Sequence, residues 1–277
     1  MLKVKEMMDQ LSFSSMSGNF KKKFRNCALI VVSISGIIYL QSLNLTGKAQ
    51  PTASQDYALN LEDERLKLTA LGKAPSLGFN NIIADWLYLQ FIQYFGDNEA
   101  REISGYGLVV DYFEQIIYKD PLFTNAIARL DVATSLFAGE PQASVNFLSS
   151  ALHKQPNKFE SLIPPYYLWR AKGNNELLFL GDTEAAKESY INSIKSAQSY
   201  DTEDSKHIAE ISKSSIKFLQ TNPDSKFARI SAWVNVLSNN PDPKTVKKVT
   251  EEIRALGGKV EVLASGAIQV KLPEKDN

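Results

Sequence analysis

The stretch GDTEA, residues 181–185, has two close copies earlier in the chain: GDNEA at 96–100 and GEPQA at 139–143. The copies start 43 and 42 residues apart. Glycine readily adopts the left-handed backbone that ends many helices. An acidic side chain suits the free N–H groups at the start of the next helix, and we expect alanine where two helices approach closely. Each copy therefore predicts the elbow of a helical hairpin.

Apolar residues recur at helical spacing on both sides of each elbow. The flanking segments are NNIIADWLYLQFIQYF and YGLVVDYFEQIIYKDP at the first elbow, TNAIARLDVATSLF and SVNFLSSALHKQP at the second, and PPYYLWRAKGNNELLFL and AKESYINSIKSAQSY at the third. Pro164 and Pro165 stand at a helix start, where proline is tolerated. Repetition at a period of 20 to 50 residues is typical of an α-solenoid.

The repeated residues resemble those of the tetratricopeptide repeat (TPR) family over roughly residues 80–200. LGDTEAAKESYINSI is similar to the turn and second helix of that repeat, with Ala186 at the small packing position and Tyr190 at the aromatic one. AGEPQASVNFLSSALHKQP and DYFEQIIYKDP are similar in the same way. Trp169 followed by Gly173 resembles the tryptophan and small residue of the first helix. The resemblance implies a solenoid that binds other proteins.

Two features depart from the TPR pattern. Asp131 falls where an apolar residue is expected, and the segment 96–121 is about eight residues longer than the pattern. The period of 42 to 43 residues also exceeds the 34 of a standard TPR. ADWLYLQFIQYFGD with the later YKDPLF resembles a set of bacterial membrane-anchored repeat proteins, whose members mostly lack a defined activity.

The end of the chain changes its pattern. Helical spacing continues to about residue 256, after which KVEVLA and AIQVKL alternate apolar and polar residues and predict a β-hairpin turning at Ser265 and Gly266. A lone hairpin is marginal in water, so it must pack on the preceding helix, cap the solenoid or add to a partner's sheet. We expect a linker at 48–78, a TPR-like repeat domain at 79–240, and a cap of one helix and the hairpin at 241–277.

A long uncharged run lies near the N-terminus. Residues 26–47 carry no charge, and as a helix they reach roughly 33 Å, enough for a hydrocarbon core of about 30 Å. The sequence predicts a transmembrane helix, a signal anchor, at 27–47 behind a basic cytoplasmic segment, 1–26. Because basic flanks stay in the cytoplasm, a single-pass membrane protein with an extracytoplasmic repeat domain is expected. A signal peptide cleaved after Ala49 and a buried helix remain alternatives.

The composition argues against several functions. The net charge is zero and the isoelectric point is near 6.8, whereas nucleic-acid binding needs a basic surface. Cys27 is the single cysteine, and His153 and His207 are 54 residues apart, while transition-metal sites draw on Cys and His clusters. No nucleophile elbow or phosphate-binding glycine loop occurs in the sequence. We therefore expect no metal, no cofactor and no enzymatic activity.

Helical spacing predicts a binding surface on the first helices of the hairpins, which line the concave face of such solenoids. Tyr167, Arg170 and Asn174 lie about one turn apart on one of these helices, and Asn125 and Arg129 lie on the neighbouring repeat. The five residues form the predicted partner-binding groove.

Taken together, the sequence predicts a mainly α protein: an α-solenoid of TPR-like hairpins behind one N-terminal transmembrane helix, with a small C-terminal β-hairpin. The favoured function is a membrane-anchored scaffold that assembles or stabilises a membrane or exported complex. Its partners would be other proteins and, through the N-terminal helix, the lipid bilayer, without nucleic acid. A constitutive structural subunit of a membrane complex and a secreted enzyme or wall-binding protein with a cleaved signal are the alternatives.

Overall fold

The computed structural model describes residues 26, 28, 30–36, 39, 54–223, 225–239, 241–262 and 268–273. The chain divides into two compact units, Met1–Thr52 and Ala53–Asn277. The described residues of the first unit are helical and exposed. The second unit is mainly helical, and its described residues form eleven α-helices and one two-stranded sheet.

The predicted transmembrane helix at 27–47 is not supported. In the part of the chain that the structure describes, none of the helices combines the length and apolar character needed to cross a membrane. A spanning helix needs about 20 predominantly apolar residues. The prediction of a single-pass membrane protein with an extracytoplasmic repeat domain is therefore wrong. Residues 27, 29, 37, 38 and 40–47 of the predicted helix lie outside the described residues.

Four helices begin the second unit. They are α1 (Ser54–Lys73), α2 (Asn80–Gly96), α3 (Asn98–Ser104) and α4 (Val109–Lys119). The predicted linker thus contains a helix, α1, which packs on α4, where the Tyr112 hydroxyl donates to Glu64 Oε1 at 2.9 Å. The short helix α3 accommodates most of the residues by which this segment exceeds the TPR pattern.

The second and third hairpins share one construction, in which the first helix ends in a π-helical turn. The elements are α5 (Thr124–Val132), π1 (Ala133–Phe137), α6 (Pro141–Lys154), α7 (Pro165–Asn175), π2 (Glu176–Leu180) and α8 (Thr183–Gln198), followed by α9 (Glu203–Leu219). The proline predicted at a helix start, Pro165, is the first residue of α7. Each helix packs on the next along the chain from α5 to α9.

Left-handed glycines close these two hairpins, as the motif predicts. Gly139 has a φ of 62° and Gly181 a φ of 71°. In both elbows, the N–H of the residue after the glycine donates to the carbonyl six residues earlier, at 2.9 Å in the second hairpin and 2.8 Å in the third. Gly96 differs, because it is the last residue of α2 and has no positive φ. The first copy of the motif therefore ends its helix in another way.

The acidic residue of each motif lies at the N-cap of the following helix. Asp97 and Asp182 accept hydrogen bonds from the backbone N–H three residues later, at 3.1 and 2.9 Å, which satisfies one of the free donors. Glu140 makes no capping bond and instead pairs with Lys248 at 2.7 Å. Of the three motif alanines only Ala100 is buried, so close helix packing is not a shared property of the motif.

One apolar core joins the first two hairpins. Its fully buried side chains include Leu87, Phe113, Ile116, Leu130 and Leu148. These side chains come from α2, α4, α5 and α6, and Leu168 of α7 belongs to the same cluster. The helices therefore bury their apolar faces against neighbouring hairpins, as expected for a stack.

The last two helices turn back across the elbows. α10 (Lys226–Ser238) packs against π1 and π2, and α11 (Pro243–Ala255) packs on α10. The buried Trp233 meets the ring of Phe179 edge-on at 4.9 Å, and Asn239 Nδ2 donates to the Leu136 carbonyl at 3.0 Å. The periodicity of the sequence predicts that the row of repeats extends to residue 240, whereas in the structure α10 braces the hairpin closures.

The chain ends in the predicted β-hairpin. β1 (Lys259–Val262) pairs antiparallel with β2 (Ile268–Lys271), with Val260 opposite Val270. Both valines pack against the cluster formed by α10 and α11, so the hairpin gains its stability from the preceding helices. Ser265 and Gly266, the predicted turn, lie outside the described residues.

The elbow glycines provide a matched test of the closure. Gly181→Ala should lower the free energy of unfolding by about 1–2 kcal/mol, because a left-handed backbone is costly for residues with a Cβ. Gly96→Ala should be neutral or raise it by up to about 1 kcal/mol, because this helical position has open space around it. Urea denaturation of the two full-length variants measures the difference. Equal changes in the free energy of unfolding would contradict the claim that Gly181, unlike Gly96, is needed for its left-handed backbone.

A candidate protein-binding groove

The first helices of the three hairpins line one groove. It consists of two adjoining cavities with volumes of about 800 and 620 Å³. Ala128, Val132 and Ile163 line both cavities, so the groove is continuous along α5. α2 forms the wall at one end and the start of α7 forms the wall at the other.

Aromatic side chains dominate the first cavity. Tyr88, Phe91 and Phe95 of α2 face Phe137, the last residue of π1. Phe95 and Phe137 meet edge-on with ring centroids 4.9 Å apart, a geometry that favours aromatic pairs. The wide turn of π1 ends with Phe137 beside α2, so the same closure that reverses the hairpin also completes the cavity wall.

Among the described residues that line the first cavity, Arg129 is the only charged one. Its side chain is exposed and lies close enough to Tyr88 to affect that phenol. Burial raises the pKa of Tyr88, and the positive charge of Arg129 partly offsets the rise. The first cavity therefore combines an apolar interior with a cation.

Two tyrosines hold a carboxylate beside the second cavity. The hydroxyls of Tyr166 and Tyr167, on α7, donate to Asp204 on α9 at 2.6 and 2.5 Å. These donors favour the ionised carboxylate and hold the pKa of Asp204 below its ordinary value. Burial raises the pKa of Tyr167 to about 12, so the hydroxyls keep their protons at neutral pH. The triad ties the start of α7 to the start of α9.

A buried acid lies against the second cavity. Asp131, on α5, is 7% exposed and accepts from Ser144 Oγ of α6 at 2.5 Å and from Asn175 Nδ2 of α7 at 2.7 Å. No cation pairs with it among the described hydrogen bonds and ion pairs. Burial raises the pKa of Asp131, although its hydrogen bonds work in the opposite direction. The residue that departs from the TPR pattern thus connects three helices.

The next hairpin repeats this arrangement with a different acid. Glu176 is buried, accepts from Ser189 Oγ at 2.6 Å and pairs with Lys172. In both hairpins the acid bonds a serine 13 residues later, on the second helix. The matching spacing of acid and serine is present in the sequence, and it is the signal from which these two buried contacts could be predicted.

Three of the five predicted groove residues line the cavities. Asn125 and Arg129 line the first cavity and Tyr167 lines the second. The helical spacing therefore selects two of the helices that line the groove, but it omits the aromatic lining from α2. The signal for that lining is the composition of α2, whose apolar residues are too numerous for a single buried face.

Arg170 and Asn174 line neither cavity and contact neighbouring helices instead. Arg170 lies with its guanidinium carbon 5.3 Å from the Tyr190 ring centroid, and its Nη1 donates to Ser212 Oγ at 3.3 Å. Asn174 Oδ1 accepts from the Tyr190 hydroxyl at 2.9 Å. Asn174 thus joins α7 to α8 and Arg170 joins α7 to α8 and α9, and neither lines a cavity with Asn125 and Arg129.

Comparisons with protein families, with characterised proteins and with solved structures find no match for this chain. Within the described residues, His, Cys, Asp and Glu form no group of three or more that could hold a metal ion. The groove itself is therefore the basis on which a function is proposed.

Asp131 gives a pH-dependent test of the polar junction. Because its folded pKa is raised, the stability it contributes is complete below the pKa of an unfolded aspartate and is lost as the pH rises through the folded pKa. Asp131→Asn should remove this dependence and match or exceed the wild-type stability at neutral pH. Asp131→Ala should lose about 2 kcal/mol or more, since it leaves the donors of Ser144 and Asn175 unpaired.

Urea unfolding of the wild type and both variants from about pH 4 to pH 8 measures these effects. If Asp131→Asn were as unstable as Asp131→Ala at every pH, the negative charge itself would be required, and the account of a buried, destabilised carboxylate would be wrong.

Proposed function

We propose that this chain is a TPR-like scaffold that binds a segment of another protein in the groove along α2, α5 and α7. The observation that carries the proposal is the continuity of the two cavities along α5, through Ala128, Val132 and Ile163. Grooves between helices accept peptide segments through apolar anchors that enter adjacent pockets, and the two cavities are spaced along one helix as such anchors require.

The lining indicates the chemistry of the bound segment. Apolar or aromatic anchors suit the two cavities, and each would contribute about 1.5–3 kcal/mol on burial. Arg129 favours an acidic side chain at one end, while Asp204 favours a basic one at the other. Two such anchors contribute about 3–6 kcal/mol before the cost of ordering the segment, below the roughly 8 kcal/mol that a Kd of 1 µM requires, so we expect binding weaker than micromolar.

The acids beside the groove support binding rather than catalysis. Asp131 is engaged by Ser144 and Asn175, and Asp204 is engaged by two tyrosine hydroxyls. A general base must reach the proton that it removes, and these carboxylates already accept internal hydrogen bonds. We therefore propose that the two acids organise the groove and that the protein is not an enzyme.

Val132 is the residue with which to test the groove, because it lines both cavities and is 45% exposed. Peptides selected by display on the full-length protein should bind the Val132→Glu variant at least about 10-fold more weakly, since a charge then occupies the apolar floor. Fluorescence anisotropy with labelled peptides measures the affinities.

Ile191→Glu is the matched control, because Ile191 on α8 is a similarly exposed β-branched residue, 41% exposed, that lines neither cavity. It should leave the affinities unchanged. Selected peptides that bind Val132→Glu as tightly as the wild type would show that recognition occurs elsewhere, and the groove proposal would then be wrong.

A further inference from the structure

α2 carries a second apolar surface outside the groove. Phe79, Ile82, Trp86 and Leu89 are 61%, 62%, 54% and 55% exposed, and their spacing of three, four and three residues places them in one row along the helix. These four residues are termed the outer row. Asp85 is the only charged residue of α2, whereas a surface helix normally presents charged and polar residues to water.

The outer row lies at the exposed end of the row of first helices. α1 packs mainly on α3 and α4 and leaves the outer row uncovered. Terminal helices of solenoids need a polar outer face for solubility. At the other end α9 meets this need, because its exposed residues include Glu203, Lys206, Glu210 and Lys213. On α2 the exposed residues include the whole outer row, so this end presents more apolar surface to water than α9 does.

We propose that the outer row is a dimer interface, at which α2 packs antiparallel against α2 of a second copy of this chain. With Gln93, the outer row continues the three-and-four spacing that allows two helices to interlock. In the antiparallel register centred between residues 87 and 88, Trp86 packs against Leu89 of the second copy. Phe79 then lies over Gly96 of the second copy, where the space around the glycine is open.

The charges are compatible with this register. Asp85 comes opposite Gln90 of the second copy, so its carboxylate gains an amide donor and the two aspartates are kept apart. An isologous contact of this kind repeats each pair twice around the symmetry axis. The same surface therefore serves both copies without a second, complementary patch on the chain.

The area suits a weak but specific dimer. If each side chain of the outer row loses on the order of 100 Å² of exposed surface, two copies bury roughly 800 Å². Flanking residues bring the total to about 1,000 Å², the lower limit for a stable interface. We expect association in the micromolar range. The outer row lines neither cavity of the groove, although Gly96 at the edge of the interface borders the first cavity. Dimerisation does not require the groove to bind anything.

Paired charge variants of the full-length protein test both the interface and its register. Leu89→Glu and Trp86→Lys should each weaken dimerisation at least about 30-fold, because each places a charge in the centre of the contact. An equal mixture of the two should dimerise again, since the introduced lysine of one chain meets the introduced glutamate of the other, while the native Trp86–Leu89 pair is retained on the opposite side of the symmetry axis. Sedimentation velocity from about 1 to 100 µM measures association. The chain mass of 30.9 kDa identifies the monomer.

Phe218→Glu is the control, because Phe218 on α9 is 62% exposed and lies outside the interface; it should dimerise like the wild type. Far-ultraviolet circular dichroism and urea midpoints should match the wild type for every variant, since all three positions are exposed. A monomeric wild type, in which a different protein or nothing covers α2, would overturn the proposal. So would an unchanged Leu89→Glu dimer or a mixture that stays monomeric.

Discussion

The closure of the hairpins at the π turns is the constraint on which the rest of the fold depends. Each closure reverses the chain, so that α5 and α7 lie in the same row of first helices, and it presents π1 and π2 as a surface for α10. The closures depend on the packing of α10 and α11, because these helices leave no room for a larger residue at Gly139 or Gly181. An added Cβ would lie 2.9 Å from Thr245 Cγ2 at the first glycine and 2.5 Å from Arg229 Cζ at the second.

The groove combines polar junctions with the apolar surface that we propose binds a partner. Asp131 and Asp204 each accept two hydrogen bonds from neighbouring helices, and these bonds set how α5, α7 and α9 stand relative to one another. Hydrogen bonds are directional, whereas apolar contacts alone tolerate sliding of one helix past another. The cavities that they flank therefore keep a defined shape, which favours selective binding of a segment.

Local patterns in the sequence predict local structure well. The left-handed Gly139 and Gly181 and the helix start at Pro165 follow from backbone preferences of single residues, and the structure confirms them. The return of α10 does not follow from such preferences, since Asn239 meets Leu136 across 103 residues. The bond from Asn175 to Asp131 could not be predicted for the same reason, because the two residues are 44 positions apart on different helices. The transmembrane prediction is wrong because an uncharged run alone does not establish a long apolar helix.

Hydrogen–deuterium exchange of the full-length protein with and without a selected peptide tests the binding groove most directly. The account predicts slower exchange on peptide binding in residues 124–137 and 161–171, which form the floor and one wall of the groove, with no change in α11 or the β-hairpin. Protection confined to α11 and the β-hairpin would place the binding site there instead, and would contradict the central claim that the first helices bind a partner.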